Sequence, residues 1–171
     1  VLISLVKIYD AMITALAGLA GVAIITITCA VVYDVLARAA GLDPPAVTSS
    51  LVEYLLLYFA MFSAPYLVRK KGHVVIDALV TRLSGAVRVF VEKFAYVISV
   101  VTALLFVYFS SGLLLDSLAS GRFDERSVDI PMWLLYLPMP IGFFFVACEF
   151  ARYLSGFDTF YLERTEVKDS V

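Results

Sequence analysis

Two stretches of this chain, Met12 to Tyr33 and Phe94 to Leu115, each run for 22 residues without a charged side chain. A helix rises 1.5 Å per residue, so about 20 apolar residues cross the ~30 Å hydrocarbon core of a bilayer. Two shorter runs reach the same length by taking in a charge near one end. Leu55 to Val68 does so by adding Ser49 to Tyr54, which brings in Glu53, and Met132 to Cys148 by adding Glu149 to Tyr153. The pattern predicts an all-α membrane protein of four transmembrane helices, with spans at about 11–34, 49–69, 90–116 and 131–153. Residues 1–171 then form a single integral membrane domain.

Composition agrees. The chain is 62% hydrophobic and 16% charged, where a soluble domain carries about a quarter charged residues. At 171 residues it is too short to bury that much apolar surface in a core of its own. A net charge of −2 points away from nucleic acid, whose binders carry clustered basic patches. Cys29 and Cys148 sit in separate apolar runs and read as small hydrophobes. No export signal followed by a soluble domain is expected.

Turn chemistry separates the runs. In "GLDPPAVTSS", Gly41, Pro44 and Pro45 stop the first helix, and Ser49 or Ser50 is expected to cap the second. "SGRFDERSVDIP" is polar, and Pro131 stands where a first helical turn tolerates it. No internal repeat of the kind that builds an inverted-repeat transporter core is visible. Of the 13 Lys and Arg residues, ten fall in the N-terminal segment, the link between spans two and three, and the C-terminal segment. The other three, Arg38, Arg122 and Arg126, lie on the opposite side. The positive-inside rule then places both termini in the cytoplasm, with a cytoplasmic tail over 155–171.

The link "YLVRKKGHVVIDALVTRLSG" holds the chain's one histidine. On a helix, His73, Asp77, Thr81, Ser84, Arg88 and Glu92 form one polar stripe beside a wide apolar face. Residues 73–84 therefore read as a short cytoplasmic interfacial helix, with basic residues toward lipid headgroups. A metal site would need three or four ligands, so His73 and Asp77 are better read as a structural pair. No ionisable residue falls at mid-span, which disfavours ion handling of the proton-carrier kind. No cofactor is expected. In the fourth span, Trp133 and Tyr136 mark the outer interface, Pro138 and Pro140 each remove a backbone hydrogen bond, and Gly142 admits a close neighbour. Gly18 and Gly21 on span one, and Ser110, Ser111 and Gly112 on span three, offer further close-contact surfaces.

The order of these elements resembles a known family. A first span ending "DVLAR", Glu53 before span two, "RKKGHVVID" with Arg69, Gly72, His73 and Asp77 in register, and "IPMWLLYLPMPIG" with Tyr136, Pro140, Ile141 and Gly142 follow one another. They are similar to the small membrane subunit, the Q subunit, of TRAP transporters (tripartite ATP-independent periplasmic transporters).

The resemblance implies a non-catalytic scaffold subunit, not an enzyme, in the bacterial inner membrane. Its partners would be a large multi-span membrane subunit (M) and a periplasmic substrate-binding protein (P), with membrane lipid around it. Together they would import an organic acid with sodium. Glu53, Arg69, Gly72, His73, Asp77, Tyr136, Pro140 and Gly142 are then candidate structural or partner-interface residues. The alternative is a membrane anchor of a redox or other multi-subunit enzyme, against which stand the single histidine and the absence of Cys–x–x–Cys.

Overall fold

The computed structural model of the chain describes residues 2–45, 47–70, 85–124 and 130–155. Helix α1 spans Leu2–Ala39, α2 Val47–Arg69 and α3 Gly85–Ser120. Strands β1 (Phe123–Asp124) and β2 (Ile130–Pro131) pair antiparallel, and α4 (Met132–Tyr136) and α5 (Pro138–Leu154) follow. With Met132–Leu154 taken as one segment, four helices are long and apolar enough to cross a membrane. At 38 and 36 residues, α1 and α3 reach about 55 Å, so each tilts or projects beyond a ~30 Å hydrocarbon core. The interfacial helix expected over 73–84 and the tail from residue 156 onward lie outside the described residues.

The helix ends follow from local chemistry. Gly41 adopts φ 75°, the left-handed conformation that closes a helix. Its N–H donates to the Arg38 carbonyl, and that of Leu42 reaches back to Ala37. Gly121, at φ 58°, ends α3 with its N–H on the Ser117 carbonyl. The start of α2 differs from expectation. The helix begins at Val47, with the Thr48 N–H on the Pro45 carbonyl, so Ser49 and Ser50 lie inside its first turn rather than at its cap. Pro44 and Pro45, whose rings hold φ near −65°, already set the chain up for a helical turn there.

Prolines also shape the contacts between helices. Pro138 has no N–H to offer the Leu134 carbonyl four residues back, and the helical segment divides at Leu137. The Tyr58 hydroxyl on α2 donates to that freed carbonyl at 2.7 Å. Pro65, inside α2, likewise has no N–H for the Met61 carbonyl. At that point Gly142 of α5 comes so close that an added Cβ would lie 2.6 Å from the Met61 oxygen. One helix thus exposes a carbonyl and the other supplies a bare backbone or a hydroxyl to meet it.

In the bundle α1 lies beside α2, α2 beside α5, and α5 beside α3, so the last span separates two that are consecutive in sequence. A small core of Val68, Tyr96 and Tyr153, flanked by Val146 and Phe150, joins α2, α3 and α5 near one end. Between 11% and 28% of each apolar window is buried within the chain. Most of the apolar surface therefore faces outward, as lipid or a membrane partner requires. Gly18, Gly21 and Gly112 belong to that outer surface, where a Cβ would meet nothing within 4 Å. They make no close contact with the chain's own described helices.

Candidate functional site

The only fully buried acid among the described residues is Glu149, on the last turns of α5. A carboxylate there is doubly unfavourable: it is out of water, and the C-terminal end of a helix carries partial negative charge. Arg69, the last residue of α2, offsets both. Its Nη2 lies 3.0 Å from Glu149 Oε1 and 2.8 Å from Asp10 Oδ1 of α1. The same guanidinium stacks over the Tyr9 ring, 5.2 Å from its centroid. Arg152, three residues after Glu149, brings Nη1 to 3.9 Å from Oε2. One arginine thus joins three helices, and its place at the end of α2 suits a cation.

One turn beyond Glu149, Tyr153 continues the junction. Its hydroxyl lies 3.0 Å from the Val68 carbonyl and 3.2 Å from that of Arg69. Those carbonyls belong to the last turn of α2, which has no further helical N–H to accept. The Tyr153 ring stacks on Tyr96 of α3 at 5.8 Å, so the fourth long helix meets the junction too. Ion pair, hydroxyl and rings all gather at the end of the bundle where α1 begins and α5 finishes. Three buried atoms there, Tyr9 Oη, Arg69 Nε and Glu149 Oε2, have no hydrogen-bond partner among the described residues.

The opposite end has polar ties of its own. The Tyr54 hydroxyl reaches Asp124 Oδ2 at 3.2 Å, tying α2 to the strand pair. Arg122 pairs with Asp116 at 2.9 Å, with both side chains largely exposed. Among the described residues no group of three or more His, Cys, Asp or Glu side chains is placed to share a metal ion.

Of the residues singled out in the sequence, Arg69 stands at the centre of the ionic junction and Gly142 in the α2–α5 contact. Glu53 is exposed in the first half of α2, and Tyr136 and Pro140 are half-buried around the helix break. Gly72, His73 and Asp77 lie outside the described residues. Sequence reasoning missed Tyr9, Asp10, Glu149 and Tyr153 as members of a site. The signal was present in part: an acid inside an apolar span demands a partner, and Arg69 occupies the matching end of another span.

The chain matches the family model described as tripartite ATP-independent periplasmic transporters, DctQ component, over residues 27–156. The chain belongs to this family. It is a small membrane component of a TRAP transporter, a multi-pass protein of the inner membrane. Membership does not favour the redox-anchor alternative. The matched region holds Arg69, Glu149 and Tyr153, whereas Tyr9 and Asp10 precede it. A search of curated proteins found no significant match to the chain.

Proposed function

We propose that this DctQ-family chain is the scaffold of a sodium-coupled importer of organic acids, with transport carried out by a large M subunit supplied by a periplasmic P protein. The observation that carries this reading is how the buried charge is used. Buried Glu149 and half-exposed Asp10 share Arg69, with Arg152 beside Glu149, in a junction between the chain's own helices, close to the helix ends. Such a junction sets the angles of α1, α2 and α5 and leaves the outward apolar faces to a partner and to lipid. In this reading both termini are cytoplasmic, which the distribution of Lys and Arg supports, and residues 73–84 form an interfacial helix, which their polar stripe supports. Glu53, Gly72, His73, Asp77, Tyr136 and Pro140 are proposed partner-facing or structural positions.

Reconstitution tests the assignment. In proteoliposomes with an inward sodium gradient, the chain alone is expected to move no organic acid. Uptake should appear when the M subunit and the P protein are both added. Sodium-driven uptake by the isolated chain would overturn the scaffold reading.

A further inference from the structure

Helix α3 buries one narrow stripe and leaves the far side bare. Tyr96, Ala103, Ser110 and Ser117, spaced seven residues apart, are all buried. A seven-residue step returns to nearly the same side of a helix, so these four share one face, where Tyr96 stacks on Tyr153 of α5. Val101, Leu104, Tyr108, Gly112 and Leu115 follow at steps of three and four, and all five are exposed. At 3.6 residues per turn, Tyr108 points about 160° away from buried Ser110. It is 74% exposed, more than any other large apolar or aromatic side chain among the described residues.

Depth gives that exposure its meaning. Phe106 stacks on Phe143 with ring centroids 4.7 Å apart, and Phe143 is the middle residue of the 23-residue segment Met132–Leu154. Tyr108 stands about 3 Å further along α3, and helical side chains lean back toward the N-terminus, here toward that middle level. Its hydroxyl therefore lies deep in the hydrocarbon, where neither water nor a lipid headgroup is at hand. The ring meets Phe109 edge-on at 5.4 Å, and the hydroxyl has no hydrogen-bond partner among the described residues.

Other hydroxyls within the spans are satisfied inside the chain. Thr26 and Thr28 of α1 and Ser110 of α3 are short enough to donate to the carbonyl four residues back in their own helix. A tyrosine is too long for that. Tyr58 and Tyr153 instead donate to a backbone carbonyl of a neighbouring span. Tyr108 has the same need, and it faces away from α5, the helix on which α3 packs.

We propose that the Tyr108 face of α3 docks against a transmembrane helix of the M subunit, where the Tyr108 hydroxyl donates to an oxygen at mid-depth. A carbonyl freed by a proline, or a Ser, Thr, Asn or Gln side chain, supplies that oxygen. Gly112, one turn along the same face, lets the helix come close, since a Cβ there would meet nothing of this chain within 4 Å. On the scaffold reading above, which this contact presupposes, α3 is then one surface that holds the large subunit.

Titration of labelled M subunit against the full chain in detergent tests this with Tyr108→Phe, which removes one oxygen and keeps the ring. Interhelical hydrogen bonds in membranes average about 0.6 kcal/mol and reach about 1.7, so affinity for M should fall about threefold to twentyfold. Tyr33→Phe, at an exposed position on α1, is the control and should bind as the unmodified chain does. Both variants should melt with the unmodified chain, because the Tyr108 hydroxyl is bonded to nothing within it. A benzophenone side chain in place of Leu104, one turn back on the same face, should cross-link to M. Unchanged affinity in Tyr108→Phe, or no such cross-link, overturns the proposal and leaves the scaffold reading standing, since the unmodified chain still binds M. A cross-link from position 104 to a second copy of the chain also overturns it and assigns the face to self-association. No binding of M by the unmodified chain would overturn the scaffold reading, and this contact with it.

Discussion

Arg69 and Glu149, 80 residues apart in the chain, meet at 3.0 Å and join the end of α2 to the end of α5. Neither residue would be tolerated at its depth alone, because an unpaired charge out of water carries a desolvation penalty of several kcal/mol. Together with Asp10 they define where three helices converge.

The pair lends itself to a double-mutant cycle. Arg69→Gln leaves Glu149 buried without its main counter-charge and should destabilise the chain by about 3–5 kcal/mol. Glu149→Gln frees Arg69 from one of two acids and should cost less, because Asp10 remains. The double variant should be more stable than the sum of the two losses. Unfolding in mixed detergent micelles measures all three, and strictly additive losses would show that the two side chains are not coupled.

A single hydroxyl should also matter at the helix break. Tyr58→Phe removes the donor that meets the Leu134 carbonyl, which Pro138 cannot serve. A buried carbonyl left without a partner costs about 1–3 kcal/mol. Tyr33→Phe, at an exposed position on α1, is the control and should have no effect. Equal melting of the two variants would mean that water or a local rearrangement satisfies Leu134.

Gly142 is expected to be intolerant of even one methyl group. A Cβ there would stand 2.6 Å from the Met61 carbonyl oxygen and 2.9 Å from the Met61 Cβ, so α2 and α5 must move apart. Overpacking of this kind costs about 1–3 kcal/mol. In the isolated chain Gly18→Ala and Gly112→Ala should leave stability unchanged or slightly higher, since both sites are open and alanine favours helix. Thermal unfolding of the three purified variants decides between these outcomes.

Those same open glycines give a separate expectation for the assembled transporter. Gly18→Leu should leave the isolated chain folded while lowering its recovery with the M subunit, because bulk on a helix face separates neighbours in lipid. Pull-down yield at equal expression is the readout. Undiminished capture would assign the Gly18 face to lipid.

How much could be read in advance depended on the range of the interaction. Met12 to Tyr33 and Phe94 to Leu115 declare themselves as spans because the bilayer sets a length and penalises every charge, a condition met residue by residue along the chain. Gly41 announces the end of α1 for a similarly local reason, since a left-handed residue closes a helix wherever it falls. Pro138 signalled a break, but the Tyr58 hydroxyl that answers it lies 76 residues away. Hydrophobicity could not show which faces meet, because in lipid an apolar residue is equally at home against a neighbour or against an acyl chain. Small residues were ambiguous in the same way. Gly18 and Gly142 look alike in sequence, yet one lies open and the other is pressed against Met61.

By itself, then, the sequence determined that the chain spans a membrane as four apolar helices and which family's pattern it follows, because span length, turn residues and motif order are properties of short segments. The tertiary structure alone decided that α5 inserts between α2 and α3, that Asp10, Arg69 and Glu149 share one charge network, and that Gly142 rather than Gly18 is the point of closest approach. These depend on which helix faces are brought together, and uniformly apolar surfaces leave that choice to a few polar atoms and small side chains far apart in the chain.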